Sequence, residues 1–175
     1  MPIILAVLGA LAAVYFFVIR ARGAAEMTHE LMDVANDVRA AARRFGFTRR
    51  RNQHPVDGIE DERLGIAALA LAVLDVSAMP SRDELAALRV ALATEFRVSG
   101  EEADEMLILG RWLVNQCSDA EAAVARISRK LCRSFGQDTL GPTMAVIERA
   151  LQGAGGADSR QQDALTDIRR AFGQR

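Results

Sequence analysis

Apolar residues recur at three- to four-residue spacing along most of this chain, the spacing that places them on one face of a helix. Two segments depart from it because they are apolar on nearly every side, Pro2–Ile19 and Glu60–Asp75. No segment alternates with a period of two for long enough to predict a strand. We therefore predict an all-α fold.

The run Pro2–Ile19 contains 18 residues and no charge. A helix of that length spans about 27 Å, close to the hydrocarbon thickness of a bilayer. A cleaved secretory signal would need a basic segment before a shorter apolar run, and no basic residue precedes this one. We predict an uncleaved transmembrane anchor over residues 1–22.

The flanking charges predict the orientation of this anchor. Residues 1–51 carry eight Arg against four acids, and all eight Arg follow the apolar run. The positive-inside rule then places the rest of the chain in the cytoplasm, behind a single pass through the inner membrane. The two cysteines, Cys117 and Cys132, are too few for a disulfide scaffold and fit a reducing compartment.

The next two segments connect the anchor to the remainder of the chain. A narrow apolar stripe that includes Met27, Leu31 and Val34 predicts an amphipathic stalk helix over residues 23–46. This stalk either packs loosely on the following domain or pairs with a second copy of the chain. Glycine and proline then mark residues 47–59 as a basic linker.

Residues 60–175 predict a bundle of about six helices. The apolar segment Glu60–Asp75 is typical of a central helix surrounded by others. Three later helices begin with a serine followed three residues on by glutamate, the pattern of a capping box. These pairs are Ser81 with Glu84, Ser99 with Glu102, and Ser118 with Glu121.

One arrangement occurs twice in this region and predicts an internal two-fold repeat. An apolar helix, a loop of small residues and a capped helix follow one another in both copies. The first copy has its helix at 68–75 and its loop at 76–80, before Ser81. The second has its helix at 144–151 and its loop at 152–157, before Asp158.

The helix count and the duplicated loops resemble the TerB-like domain, the family of tellurite-resistance TerB proteins and of the amino-terminal region of the co-chaperone DjlA. The resemblance covers about residues 60–175. It implies acidic loops that bind a divalent metal, and here Asp75, Asp83, Glu84 and Asp158 stand in or beside the two loops. Hard cations need several oxygen ligands from one site. The alternative for the same acids is a solvated first helical turn, where carboxylates are favourable.

Basic residues cluster just after the stalk, at Arg43, Arg44, Arg49, Arg50 and Arg51, with Phe45 and Phe47 interleaved. Aromatic and basic residues together can bind single-stranded nucleic acid. Beside a membrane, the same charges attract anionic lipid headgroups at about 1 kcal/mol per residue. We expect lipid-headgroup contact rather than nucleic-acid binding, because the anchor already places the cluster there.

Composition adds one constraint. Apolar residues make up 50% and charged residues 26% of the 175 positions, which provides a core and excludes disorder. The favoured function is a non-catalytic helical interaction module at the cytoplasmic face of the membrane, with an unidentified protein partner and without a cofactor. The resemblance would connect it to tellurite or envelope stress. The alternative is a metal-dependent sensor or enzyme built on the four acids of the loops.

Overall fold

The computed structural model describes residues 38–47 and 52–173. These residues are helical and contain no strand, so the all-α prediction is confirmed for them. A helical segment at 38–44 precedes a short 3-10 turn, Pro55–Gly58, and six α-helices. The helices are α1 (Glu62–Asp75), α2 (Arg82–Phe96), α3 (Gly100–Val114), α4 (Ala120–Phe135), α5 (Leu140–Gly153) and α6 (Ser159–Ala171), with a second 3-10 turn at Gln137–Thr139.

The predicted anchor at 1–22, most of the predicted stalk, and Arg49, Arg50 and Arg51 lie outside the described residues. Of the helices that are described, none is long and apolar enough to cross a membrane. The two cysteines are both free thiols.

Helix α1 is the centre of the bundle, as its sequence predicts. Every residue from Leu64 to Leu74 is buried. The helix packs against each of the other five α-helices, which is why no side of it carries polar residues. Its amino terminus is capped by Asp61, whose carboxylate accepts a hydrogen bond from the Arg63 backbone N–H at 2.8 Å.

Helix α3 runs parallel to α1 and approaches it closely. The ion pairs Arg63–Glu102 and Asp75–Arg111 occur in the same order along the two helices. Between them, the missing side chain of Gly110 lets the backbones meet: a Cβ there would lie 3.2 Å from the Ala68 backbone. Small residues therefore set the spacing of the two innermost helices.

Two of the three predicted capping serines occupy the N-cap position. Ser81 and Glu84 form the full reciprocal box. Ser99 accepts from the Glu102 backbone N–H at 3.1 Å, but the Glu102 carboxylate bonds to Arg63. The third serine is not the cap.

Helix α4 is capped by Asp119, whose carboxylate accepts from the Ala122 backbone N–H at 2.7 Å. Ser118 instead donates its hydroxyl to the Asp119 carboxylate at 3.1 Å. The prediction of Ser118 as the cap was therefore wrong by one residue. Aspartate is as good an N-cap as serine, so the sequence offers two equivalent starts and tertiary packing selects the second.

The compact unit begins upstream of the six helices. It extends from Val38, and its core includes Ala41 and Phe45 as well as Val56 and Ile59 from the segment predicted to be a linker. The 3-10 turn that carries Val56 packs against α4. Val56 and Ile59 are too few to form a helical pattern of apolar residues. The glycine and proline of the segment therefore predict a linker.

Candidate functional site

The two predicted loops meet in the structure. Ser77, in the loop between α1 and α2, lies beside Asp158, the N-cap of α6. The Ser77 hydroxyl oxygen is buried and approaches the carboxylate without reaching hydrogen-bond geometry. That hydroxyl has the largest effect in holding the pKa of Asp158 below its usual range. The second effect is that of the Gln161 backbone N–H, which donates to the Asp158 carboxylate at 2.9 Å. Asp158 therefore acts as an ionised helix cap at the contact between the loops.

Asp75, the last residue of α1, is bound within the protein. Its carboxylate accepts a hydrogen bond from the Arg111 guanidinium of α3 at 2.8 Å, and both side chains are less than one-third exposed. Because a partly buried ion pair is costly to break one partner at a time, this pair fixes the carboxyl end of α1 against α3. Arg111 was not singled out by the sequence, since 36 positions separate the partners.

The remaining two acids of the predicted metal set lie at the start of α2. The Glu84 carboxylate accepts from the Ser81 backbone N–H at 2.7 Å, as the capping box requires. Asp83 is exposed in the same first helical turn. Across residues 38–47 and 52–173, no three acidic, histidine or cysteine side chains are grouped so as to hold a metal ion. Metal binding by Asp75, Asp83, Glu84 and Asp158 stays a prediction.

Of the predicted lipid-contacting residues, Arg43 and Arg44 are described, and they differ in their surroundings. Arg43 is exposed to solvent. The Arg44 guanidinium lies 3.0 Å from a carboxylate oxygen of Glu105 on α3. That oxygen is buried and the contact lacks hydrogen-bond angles, so it is a charge–charge contact. Arg44 therefore connects the basic cluster to the bundle.

The two aromatic rings between these basic residues face the protein. Phe45 is 3% exposed and lies below the Arg63 guanidinium, 5.7 Å from ring centroid to carbon. The ring of Phe47 meets that of Trp112 edge to face, with the centroids 5.6 Å apart. The ring of Phe45 is therefore not available for stacking on a base, whereas that of Phe47 is partly exposed.

His54 and Asp57 hold the 3-10 turn in place. The Nδ1 atom of His54 accepts from the Val56 backbone N–H at 3.3 Å, so Nε2 is the nitrogen that donates, 3.1 Å from the Gln116 carbonyl oxygen. Asp57 pairs with Arg126 of α4 at 2.9 Å. These side chains join the 3-10 turn to α4 and to the loop that follows α3, and have a structural role.

A groove of about 200 Å³ separates α4 from α6. Its floor is apolar, with Val76 and Val124 among the residues, and its rim is charged. One ion pair, Arg160 with Glu121 at 2.5 Å, spans the groove between the helices. The charged side chains that line it are three acids, Glu121, Asp163 and Asp167, and one arginine, Arg160.

Comparison with known proteins adds no relative: no protein-family model, curated protein or solved structure matches this chain.

Proposed function

We propose that this protein is a single-pass, inner-membrane-anchored interaction module whose helical bundle lies in the cytoplasm. The uncharged run Pro2–Ile19 supplies the anchor, and the arginines that follow it set the orientation. The module recruits a protein partner to the membrane surface and holds no cofactor. The TerB-like resemblance extends the proposal to a role in tellurite or envelope stress.

The packing of residues 38–47 onto the bundle is the observation that carries this proposal. Ala41 and Phe45 belong to the core, and Arg44 contacts Glu105. Residues 38–47 are thus part of the folded domain. A packed helical bundle of this kind suits presentation of a binding surface to a partner.

The internal two-fold repeat is part of the same proposal. The first copy would comprise α1, the 76–80 loop and α2; the second would comprise α5, the 152–157 loop and α6. Two contacts support it: α2 packs closely on α5, and the loops approach one another at Ser77 and Asp158. A TerB-like ancestry would explain such a duplication.

Membrane fractionation of the full chain tests the anchor. We expect the protein to stay with the membrane after alkaline carbonate and high-salt washing, because its attachment is hydrophobic. Val14→Arg places a charge in the middle of the apolar run and should release the protein, whereas Val14→Leu should not. Recovery of the unmutated chain in the soluble fraction would overturn the proposal.

A second measurement tests the lipid contact of the basic cluster. The triple variant Arg49→Gln, Arg50→Gln, Arg51→Gln should lose up to about 3 kcal/mol of affinity for acidic vesicles in a soluble fragment beginning at Ala24. The matched control changes the same number of arginines within ion pairs of the bundle surface, at Arg149, Arg160 and Arg169. Preference of the fragment for single-stranded RNA over acidic vesicles at equal salt would replace the lipid interpretation.

A further inference from the structure

A second basic surface, unconnected in sequence with the first, lies on α4. From Ala122 to Phe135 this helix contains four basic residues and no acid. Arg129 and Arg133 are exposed and lie four residues apart on its outward side, and Lys130, three residues before Arg133, is half-buried beside them. The opposite side, with Ile127 and Leu131, is buried in the core. We refer to Arg129, Lys130 and Arg133 as the α4 basic face.

No carboxylate among the described residues forms an ion pair with this face. Nine arginines of the described chain form ion pairs with carboxylates, including Arg126 on the same helix. Among residues 38–47 and 52–173, no ion pair involves Arg129, Lys130 or Arg133. The Arg133 Nε–H donates a hydrogen bond to the Arg129 backbone carbonyl oxygen at 3.3 Å, which places the guanidinium of Arg133 along the outward side of α4.

The α4 basic face lies at the level of the first turns of α1. Near the amino terminus of α1, Phe45 contacts Arg63. Gly65 lies two residues after Arg63 on the same helix, and Leu131 of α4 fills the space in front of it. Leu131 is the residue after Lys130. Leu131, on the buried side of α4, makes this contact, and the α4 basic face lies at the same level on the outward side of the helix.

We infer that the α4 basic face is the surface with which the folded domain contacts anionic phospholipid headgroups. This inference rests on the proposed membrane anchoring. The anchor keeps the domain close to the bilayer, and the three cations of the α4 basic face, which have no ion pair among the described residues, complement the negative surface of the membrane. The domain is then oriented on the membrane by its own folded surface, in addition to the basic cluster before it.

The acids at this level identify which side of the bundle is involved. Glu62 and Glu101, in the first turns of α1 and α3, have no ion pair among the described residues, and Glu60 precedes them. These acids would repel an anionic leaflet. The acid of α4 is Glu121, in its first turn, at the other end of the helix from the α4 basic face. The outward side of α4 is therefore the side of the bundle that best complements an anionic leaflet.

Lys130 provides a direct test because it is the only lysine of the sequence. In the full chain, reconstituted in lipid nanodiscs, an amine-selective ester modifies only Lys130 and the amino terminus, which mass spectrometry distinguishes by peptide. Three basic residues favour the lipid-facing orientation roughly 100-fold, so adding phosphatidylglycerol to phosphatidylcholine discs should slow Lys130 modification about tenfold or more. High salt should restore the rate.

The variant Arg82→Lys is the matched control. It adds a second lysine without changing the charge, in the exposed first turn of α2, beside the 76–80 loop at the other end of α1. Modification at position 82 should be the same in both discs. Equal slowing at both positions, or no slowing at Lys130, would overturn the inference, as would protection by single-stranded RNA in place of lipid. If the chain failed to enter the discs at all, the anchor itself would be refuted, which is a distinct result.

Discussion

The guanidinium of Arg63 lies over the ring of Phe45, and the same arginine binds the carboxylates of Asp61 and Glu102 at 2.8 Å each. Its hydrogen bond to Asp61 is the largest effect on its pKa, which is raised above the usual value of an arginine. The cation is therefore permanent, and it holds together the chain before the bundle and the first turns of α1 and α3.

Removing the Phe45 ring should destabilise the domain. Phe45→Ala leaves a cavity at a side chain that is 3% exposed, and we expect a loss of about 3 kcal/mol in the free energy of unfolding. Phe47→Ala removes a ring of the same size from a partly exposed site, and should cost less. Urea denaturation of the fragment 38–175 measures both. An unchanged free energy of unfolding for Phe45→Ala would show that this ring does not belong to the core.

Adding a methyl group at Gly110 should be unfavourable, because a Cβ there meets the backbone of Ala68 at 3.2 Å and Leu71 at 3.0 Å. Backbone cannot yield as a side chain does, so Gly110→Ala should lower the free energy of unfolding by about 1–2 kcal/mol. At Gly141, in α5, a Cβ meets nothing within 4 Å. Gly141→Ala should therefore stabilise the protein by about 0.5 kcal/mol through helix propensity. Stabilisation by both changes would contradict the close packing of α1 and α3.

The start of α4 gives a prediction opposite to that of its sequence pattern. Asp119→Ala removes the acceptor of the Ala122 N–H and should cost about 1 kcal/mol. Ser118→Ala removes only a hydroxyl that donates to Asp119, and should change stability little. Thermal melting of the two variants decides between the caps, and a larger loss for Ser118→Ala would restore the capping box predicted from sequence.

Ionisation of Asp158 should make the stability depend on pH in the acid range. Its pKa in the folded state is lowered from 3.8, so its contribution is complete above that value and is lost as the pH falls through the lower, folded pKa. Asp158→Asn keeps a capping oxygen and removes the charge. The stability difference between the two proteins should be constant near neutral pH and should shrink at more acid pH. A difference that does not vary with pH would show that the charge has no part in the contact.

The sequence predicts features that depend on neighbours three or four residues apart. The all-round burial of α1 and the capping box of Ser81 and Glu84 are both confirmed, because each follows from local spacing. The choice between Ser118 and Asp119 is also local, but the two alternatives are equivalent in energy. Only the packing of the finished bundle decides between them.

Features that depend on distant partners were not predictable from spacing. Arg111 reaches Asp75 across 36 positions, and the contact exists only because α3 lies parallel to α1 in one register. The same holds for the packing of Phe45 and Phe47, which the sequence presents as an aromatic and basic run. Periodicity predicts which faces of α1 and α3 are buried. It does not predict which segment packs on those faces, because that segment is distant in sequence.

Proteolysis from one side of the membrane tests the central claim, an anchored domain in the cytoplasm. With the full chain carrying a carboxy-terminal epitope in a bacterial inner membrane, trypsin added to inverted vesicles should remove the epitope from the membrane. Trypsin added outside intact spheroplasts should leave it attached, because the bundle follows the arginine-rich flank into the cytoplasm. Loss of the epitope from intact spheroplasts, or its presence in the soluble fraction before any protease is added, would contradict the claim.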